Sequence, residues 1–166
     1  MWNALSKHFD KYPAQKKVAL LLLKTGLSVR DNKIYCNEIE VAPSRIARIV
    51  GVDRRLVTQT VKTIIAKKEL TQVYGNLQTM PFFGKVALNM NAGLIEVNVK
   101  DPGREGIVAK VTKIIAKNKI SIRQCIPEDP LFSDEPKFYI ITEKPLPLKV
   151  IAEIRKIRDI TSILIH

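Results

Sequence analysis

The chain has 166 residues, of which 46% are hydrophobic and 27% charged, a composition typical of folded globular proteins and unlike that of disordered ones. This length allows one ordinary domain or two small ones. The longest apolar run, 18–23, is far shorter than a membrane span needs, and the first residues lack the apolar core of a signal peptide. We therefore expect a cytoplasmic protein without a membrane partner.

The net charge of +12 is unevenly distributed along the chain. Residues 1–85 contain 15 Lys and Arg against 6 Asp and Glu, whereas residues 86–166 contain 13 against 10. Three quarters of the positive excess therefore lies in the first half. A basic surplus confined to one half predicts a polyanionic partner for that half.

The helical and strand patterns change character between residues 75 and 92. Gly75-Asn76 is a turn signal, and the segment 80–84 interrupts the periodicity again. We expect one domain over residues 1–80, a linker over 81–92 and a second domain over 93–166.

Two short amphipathic patterns, 43–50 and 54–65, flank a glycine in the first half. Ile46, Ile49 and Val50 form an apolar stripe in the first pattern. Gly51 stands where the first helix must end, and Asp53 is a favourable N-cap for the second. Over about 20 residues this resembles the helix-turn-helix of DNA-binding proteins, with a threonine, residue 60, at a position that is usually apolar. Strand candidates on either side, at 39–41 and 70–74, predict a winged variant.

The outward face of this motif has the side chains that contact DNA. Apart from the capping Asp53, no acidic residue occurs between positions 41 and 68. Arginine, lysine, glutamine and threonine reach base edges and phosphates in a major groove. We predict that double-stranded DNA is bound by these residues: Arg45, Arg48, Arg54, Arg55, Thr58, Gln59 and Lys62.

The second half predicts alternating strands and helices in the order βαββαβ. Strands are expected at 94–99, 120–126, 138–142 and 160–165, with helices over 107–115 and 150–154. This order is the ferredoxin-like split βαβ arrangement. The strand at 94–99 lacks the aromatic residues that an RNA-recognition sheet needs for base stacking.

The segments 99–111 and 118–122 resemble the start of an ACT domain, and the resemblance extends from Gly93 to Ile165. Gly106 takes the place of the family glycine, Glu105 replaces the family proline, and Ser121 stands where asparagine is common. ACT domains commonly bind amino acids between protomers beside this loop. The resemblance therefore implies a homodimer or higher homo-oligomer with an amino acid as effector, bound by Asp101, Pro102, Gly103, Arg104, Glu105, Gly106, Ile107 and Ser121.

The predicted fold class is α+β, with an N-terminal winged helix-turn-helix domain followed by a ferredoxin-like ACT domain. The predicted function is an amino-acid-responsive transcriptional regulator. Two alternatives remain open: a module that controls an amino-acid biosynthetic enzyme by protein contact, and an RNA- or ribosome-associated protein.

We expect neither an enzyme nor a cofactor, since the sequence contains none of the HExxH, GxSxG or phosphate-loop motifs. Cys36 and Cys125 have no neighbouring cysteine or histidine cluster, so we expect two small buried hydrophobic side chains and no metal site.

Overall fold

A computed structural model describes residues 2–101, 103–130, 132–133 and 135–166. The chain divides into two compact units, Met1–Pro81 and Phe82–His166. Within these described ranges, no helix is both long and apolar enough to cross a membrane.

The first unit begins with helices. Helix α1 (Trp2–Ser6) continues into a 3-10 turn (Lys7–Phe9), and α2 spans Pro13–Thr25. Pro13 occupies the first turn of α2, where its missing N–H is not needed. The helix ends at Gly26, whose φ of 68° is left-handed and strains any residue with a Cβ.

A three-stranded antiparallel sheet follows α2, in the order β1 (Ser28–Arg30), β2 (Lys33–Cys36), β3 (Ile39–Val41). Asp31 and Asn32 connect β1 to β2, and both have positive φ, the geometry of a tight hairpin turn. Asn and Asp tolerate this conformation better than other residues with side chains.

The helix-turn-helix is formed by α3 (Pro43–Val50) and α4 (Arg54–Ile65), and α5 (Lys68–Tyr74) follows. Gly51 ends α3 in the left-handed conformation, with a φ of 73°. The Asp53 side chain accepts a hydrogen bond from the Arg55 backbone N–H at 2.7 Å. Both local signals therefore act as the sequence predicts.

Two details of this region differ from expectation. The segment 70–74 is helical, so the predicted second strand of a wing is wrong: within the described part of the first unit, the sheet lies wholly before α3. Leu70 and Tyr74 are buried four positions apart on one helix face, and the Tyr74 hydroxyl donates to the Ala19 carbonyl at 3.0 Å. Ile49, expected in the core stripe, is 70% exposed, and Ile46 and Ala47 fill that role.

The second unit has the predicted βαββαβ order. Helix α6 (Gly84–Ala87) and a 3-10 turn (Leu88–Met90) lead into the sheet. The strands are β4 (Gly93–Val99), β5 (Ile122–Pro127), β6 (Phe138–Thr142) and β7 (Ile160–Ile165), in the spatial order β5-β6-β4-β7, all antiparallel to their neighbours. The crossover helices are α7 (Ile107–Lys117) and α8 (Leu148–Arg155). The whole chain is therefore α+β.

The main core of the second unit lies between one sheet face and the two crossover helices. Ile95 and Val97 point to this face from β4, since side chains two apart on a strand share a face, and they pack with Val111 and Ile115 of α7. Ile154 of α8 completes the cluster.

Residues 84–90, which the sequence assigns to a linker, are helical and pack on the second unit. Ala87 is buried with Leu94 and Ile141, and the Phe82 ring meets the Tyr139 ring edge-on at 5.1 Å. The apolar residues of 82–90 therefore cover a part of the sheet that α7 and α8 leave open.

Candidate nucleic-acid interface

Helix α4 has a buried and an exposed face. Val57, Val61 and Ile64 are fully buried at helical spacing, so the residues between them point outward. All seven residues predicted to contact DNA are exposed. They are Arg45 and Arg48 on α3, and Arg54, Arg55, Thr58, Gln59 and Lys62 on α4.

Thr60, the departure from the usual helix-turn-helix pattern, lies in the core of this motif. It is fully buried, and its hydroxyl donates to the Leu56 carbonyl at 2.8 Å. A buried hydroxyl with a partner carries little penalty. Thr60 therefore fills the core position that an apolar residue of similar size would fill. The outward face of α4 keeps its orientation.

A groove of about 530 Å³ runs between the start of α3 and the outward face of α4. It is lined by Ala42, Pro43, Ser44, Arg54, Arg55, Thr58, Gln59 and Lys62. Arg45 and Arg48 do not line the groove and lie on the exposed surface of α3. The groove therefore combines Ser44 at the start of one helix with the polar side chains of the next.

The five cations of this surface have no partner among the described residues: Arg45, Arg48, Arg54, Arg55 and Lys62 form no ion pair and no side-chain hydrogen bond there. The Asp53 carboxylate is engaged by the Arg55 backbone N–H as a helix cap. The surface thus presents concentrated positive charge that nothing nearby neutralises, and such charge attracts polyanions.

The loop after β4, predicted to hold a small ligand, is arranged differently. Gly106 has a φ of 81° and forms the N-cap of α7. The Arg104 guanidinium donates from Nη1 to Oδ1 of Asp159 at 2.5 Å, and the Asp159 side chain is only 8% exposed. Asp101 accepts a hydrogen bond from the Gly103 backbone N–H at 2.9 Å. Two of the predicted ligand contacts are therefore engaged within the loop and its surroundings.

A cavity of only about 50 Å³ adjoins this loop, and Arg104 and Ile107 line it together with Glu128 and Lys137. Asp101, Gly103, Glu105 and Gly106 are exposed outside it, and Pro102 lies outside the described residues. No sequence pattern indicates that Asp159 pairs with Arg104, because the two residues are 55 positions apart.

Ser121 lies at the other end of the sheet. Strand β5 begins next to it opposite Thr142, whereas the loop follows the end of β4, where Val97 lies opposite Phe138. Helix α7 carries the chain back across the sheet, so within one chain the structure does not bring Ser121 to the loop.

No protein-family model matches the chain, and no curated protein matches it. Among solved structures, the chain is similar to AsnC of E. coli, with 10% sequence identity and a TM-score of 0.25. The match covers 93% of this chain and 89% of AsnC.

Proposed function

We propose that this chain is a DNA-binding transcriptional regulator whose first unit binds duplex DNA through α4. The observation that carries the proposal is the set of exposed cations on α3 and α4 that have no partner among the described residues. A solvated surface of ordinary function mixes charges of both signs, whereas only Asp53 is acidic between residues 41 and 68. A duplex supplies the missing anions as phosphates.

In the proposed complex, α4 lies in a major groove. Arg55 and Gln59 contact base edges, since arginine pairs with guanine and glutamine with adenine through two hydrogen bonds. The Ser44 hydroxyl and backbone N–H hold a phosphate, and Arg45 and Arg48 contact the backbone further along. The phosphate contacts position the helix and the base contacts supply specificity.

For the second unit we propose an ACT-type role in dimerisation and in sensing an amino acid. Support comes from the βαββαβ order, the left-handed Gly106 before α7, and a sheet whose outer strands β5 and β7 are available at its edges. A ligand carboxylate would compete with Asp159 for Arg104. The effector acts only through its different affinities for two arrangements of the DNA-binding units.

The experiment measures the affinity of the full chain for a fluorescent duplex by anisotropy, between 50 and 200 mM salt. Changing Arg55 and Gln59 together to Ala is expected to weaken binding by at least about tenfold, because each base contact contributes roughly 1–3 kcal/mol of discrimination. The slope of log K against log salt should also become shallower by about one unit, because a charge near the phosphates is lost.

A matched control makes the same two changes elsewhere. Arg155 of α8 and Gln72 of α5 are both exposed, so R155A with Q72A removes the same groups from other surfaces. The control is expected to bind DNA like the unchanged chain. Equal affinity and equal salt slope for R55A/Q59A and the control would contradict the proposal.

A further inference from the structure

The first unit has a second concave site, which shares no residue with the groove beside α4. It encloses about 460 Å³, within the range of small-ligand cavities. The sheet and the loop after α5 line it, through Ser28, Arg30, Asn37, Glu38, Gly75, Asn76, Leu77, Gln78 and Thr79. Its lining is mostly polar, so an occupant is held by hydrogen bonds and charge.

Ser28 places a hydroxyl at the cavity. On β1, Val29 is buried in the core, and Ser28 and Arg30 point to the opposite side, towards the cavity. Ser28 is only 2% exposed, yet its hydroxyl forms no hydrogen bond with any described residue. Among the described residues, the buried side-chain polar atom without a partner is Nε of Arg30, so the Ser28 hydroxyl is reached from the cavity and is available to an occupant.

Arg30 supplies a positive charge that is fixed in position but weakly neutralised. Its guanidinium carbon lies 4.6 Å from the centre of the Tyr35 ring, and Nη2 donates to the Asn37 carbonyl at 2.7 Å. The Glu38 carboxylate is 3.6 Å away and 89% exposed, whereas a neighbouring pair of the same sheet meets at 2.7 Å. A loose, exposed ion pair contributes little, so Arg30 is available to another anion.

The loop after α5 adds backbone donors. The N–H groups of Leu77 and Gln78 donate to no described residue. The loop is nevertheless held in place, because the Asn37 carboxamide forms two hydrogen bonds with the Thr79 backbone, at 3.0 and 3.1 Å. Gly26 packs against this loop, where a Cβ would lie 2.5 Å from the Gln78 carbonyl oxygen. Only glycine therefore fits at this position.

We propose that this cavity binds the anionic group, carboxylate or phosphate, of a small metabolite. A hydroxyl, a guanidinium and successive backbone N–H groups line one cavity, and such a set of donors binds anions. Glu38 at the rim provides a partner for a ligand ammonium group, so free amino acids are the ligands we expect first. The site is separate from the loop at 101–106 and does not require that the chain bind DNA.

The test is calorimetric titration of the full chain with each of the twenty amino acids and, separately, with inorganic phosphate, up to about 10 mM. Binding of an amino acid identifies a carboxylate site, and binding of phosphate alone identifies a phosphate site. Arg30→Gln and Ser28→Ala are each expected to weaken binding by about tenfold or more, the usual effect of losing a hydrogen bond to a charged group. Ser28→Ala removes one hydroxyl with little change of shape, so it tests the site even where Arg30→Gln unfolds.

Arg158→Gln removes an exposed arginine of the second unit and is expected to leave the affinity unchanged. Amide resonances of Leu77 and Gln78 should shift on titration with the ligand that binds. The proposal would be overturned if none of the probes bound. It would also be overturned if a probe bound with the same affinity after Ser28→Ala and left the Leu77 and Gln78 amide resonances unshifted.

Discussion

The arginines of α4 and Arg104 of the second unit are the same residue type under different constraints. Arg54 and Arg55 are exposed and have no partner among the described residues, so an incoming anion displaces only water. Arg104 already donates to the buried carboxylate of Asp159, so a ligand must compete with a protein group. Whether an arginine is available for binding therefore depends on the groups that the fold places beside it. Its position in a sequence motif does not reveal those groups.

The space beside these arginines also differs between the two units. About 530 Å³ of groove adjoins α4, whereas about 50 Å³ adjoins the loop at Arg104. The first volume is within the range of ligand-binding clefts, whereas the second holds no more than a water or two. The loop at Arg104 therefore offers a ligand much less space than the groove beside α4 does.

The largest effect expected separates the two units by their stability. Ile115 is fully buried in the core of the second unit, so Ile115→Ala should lower its free energy of unfolding by about 2–5 kcal/mol. Hydrogen exchange should accelerate in β4 and α7, while amides of α4 keep their protection. Equal loss of protection in α4 would mean that the two units unfold together, which would contradict their separate stability.

Arg104→Ala should cost about 1–3 kcal/mol of stability, because it leaves the buried Asp159 carboxylate without its guanidinium. Arg55→Ala is the matched change on an exposed surface and should alter stability by no more than about 0.5 kcal/mol. Urea denaturation of both variants measures the difference. Equal destabilisation by the two changes would show that Arg55 is also held by the fold.

Part of this comparison could be read from the sequence. Gly51 and Asp53 are local signals: Gly51 ends α3 in the left-handed conformation, and the Asp53 carboxylate caps the start of α4. The position and outward face of α4 therefore follow from residues that are close in sequence. The pairing of Arg104 with Asp159 joins residues 55 positions apart and depends on how β7 lies beside β4. No local pattern encodes it.

The helix at 70–74 also depends on tertiary contacts, which local sequence patterns do not show. Thr71, Val73 and Tyr74 favour a strand by intrinsic propensity, but burial of Leu70 and Tyr74 against the first unit fixes a helix. Likewise, the cavity at Ser28 brings together segments 28–38 and 75–79, which are far apart in the chain, so no local pattern indicates it.

Asp53→Ala is expected to lower the stability of the first unit by about 1 kcal/mol, since the Arg55 N–H loses its cap. DNA affinity should fall with it, because Arg54 and Arg55 lie in the turn that frays. Asp53→Asn keeps a good N-cap and should preserve both properties. If Asp53→Asn proves as destabilising as Asp53→Ala, the charge of Asp53 matters more than its hydrogen bond.

The smallest effect expected is a pH dependence in the second unit. The hydrogen bond from Lys137 holds the pKa of Glu96 below its usual 4.5, and His166 adds to the shift, although partial burial opposes it. Because the folded pKa is the lower one, Glu96 contributes stability above pH 4.5 that is lost as the pH falls below it. Glu96→Gln should flatten the acid limb of the Tm against pH, whereas exposed Glu105→Gln should not.

The most direct test of the account is an amide NMR titration of the full chain with duplex DNA at low salt. The account predicts the largest shifts at Ser44 and over 54–62, which fade as salt is raised, while α7 and α8 stay unchanged. Shifts concentrated on the second unit, or none on α4 at saturating DNA, would contradict the claim that the outward face of α4 binds the duplex.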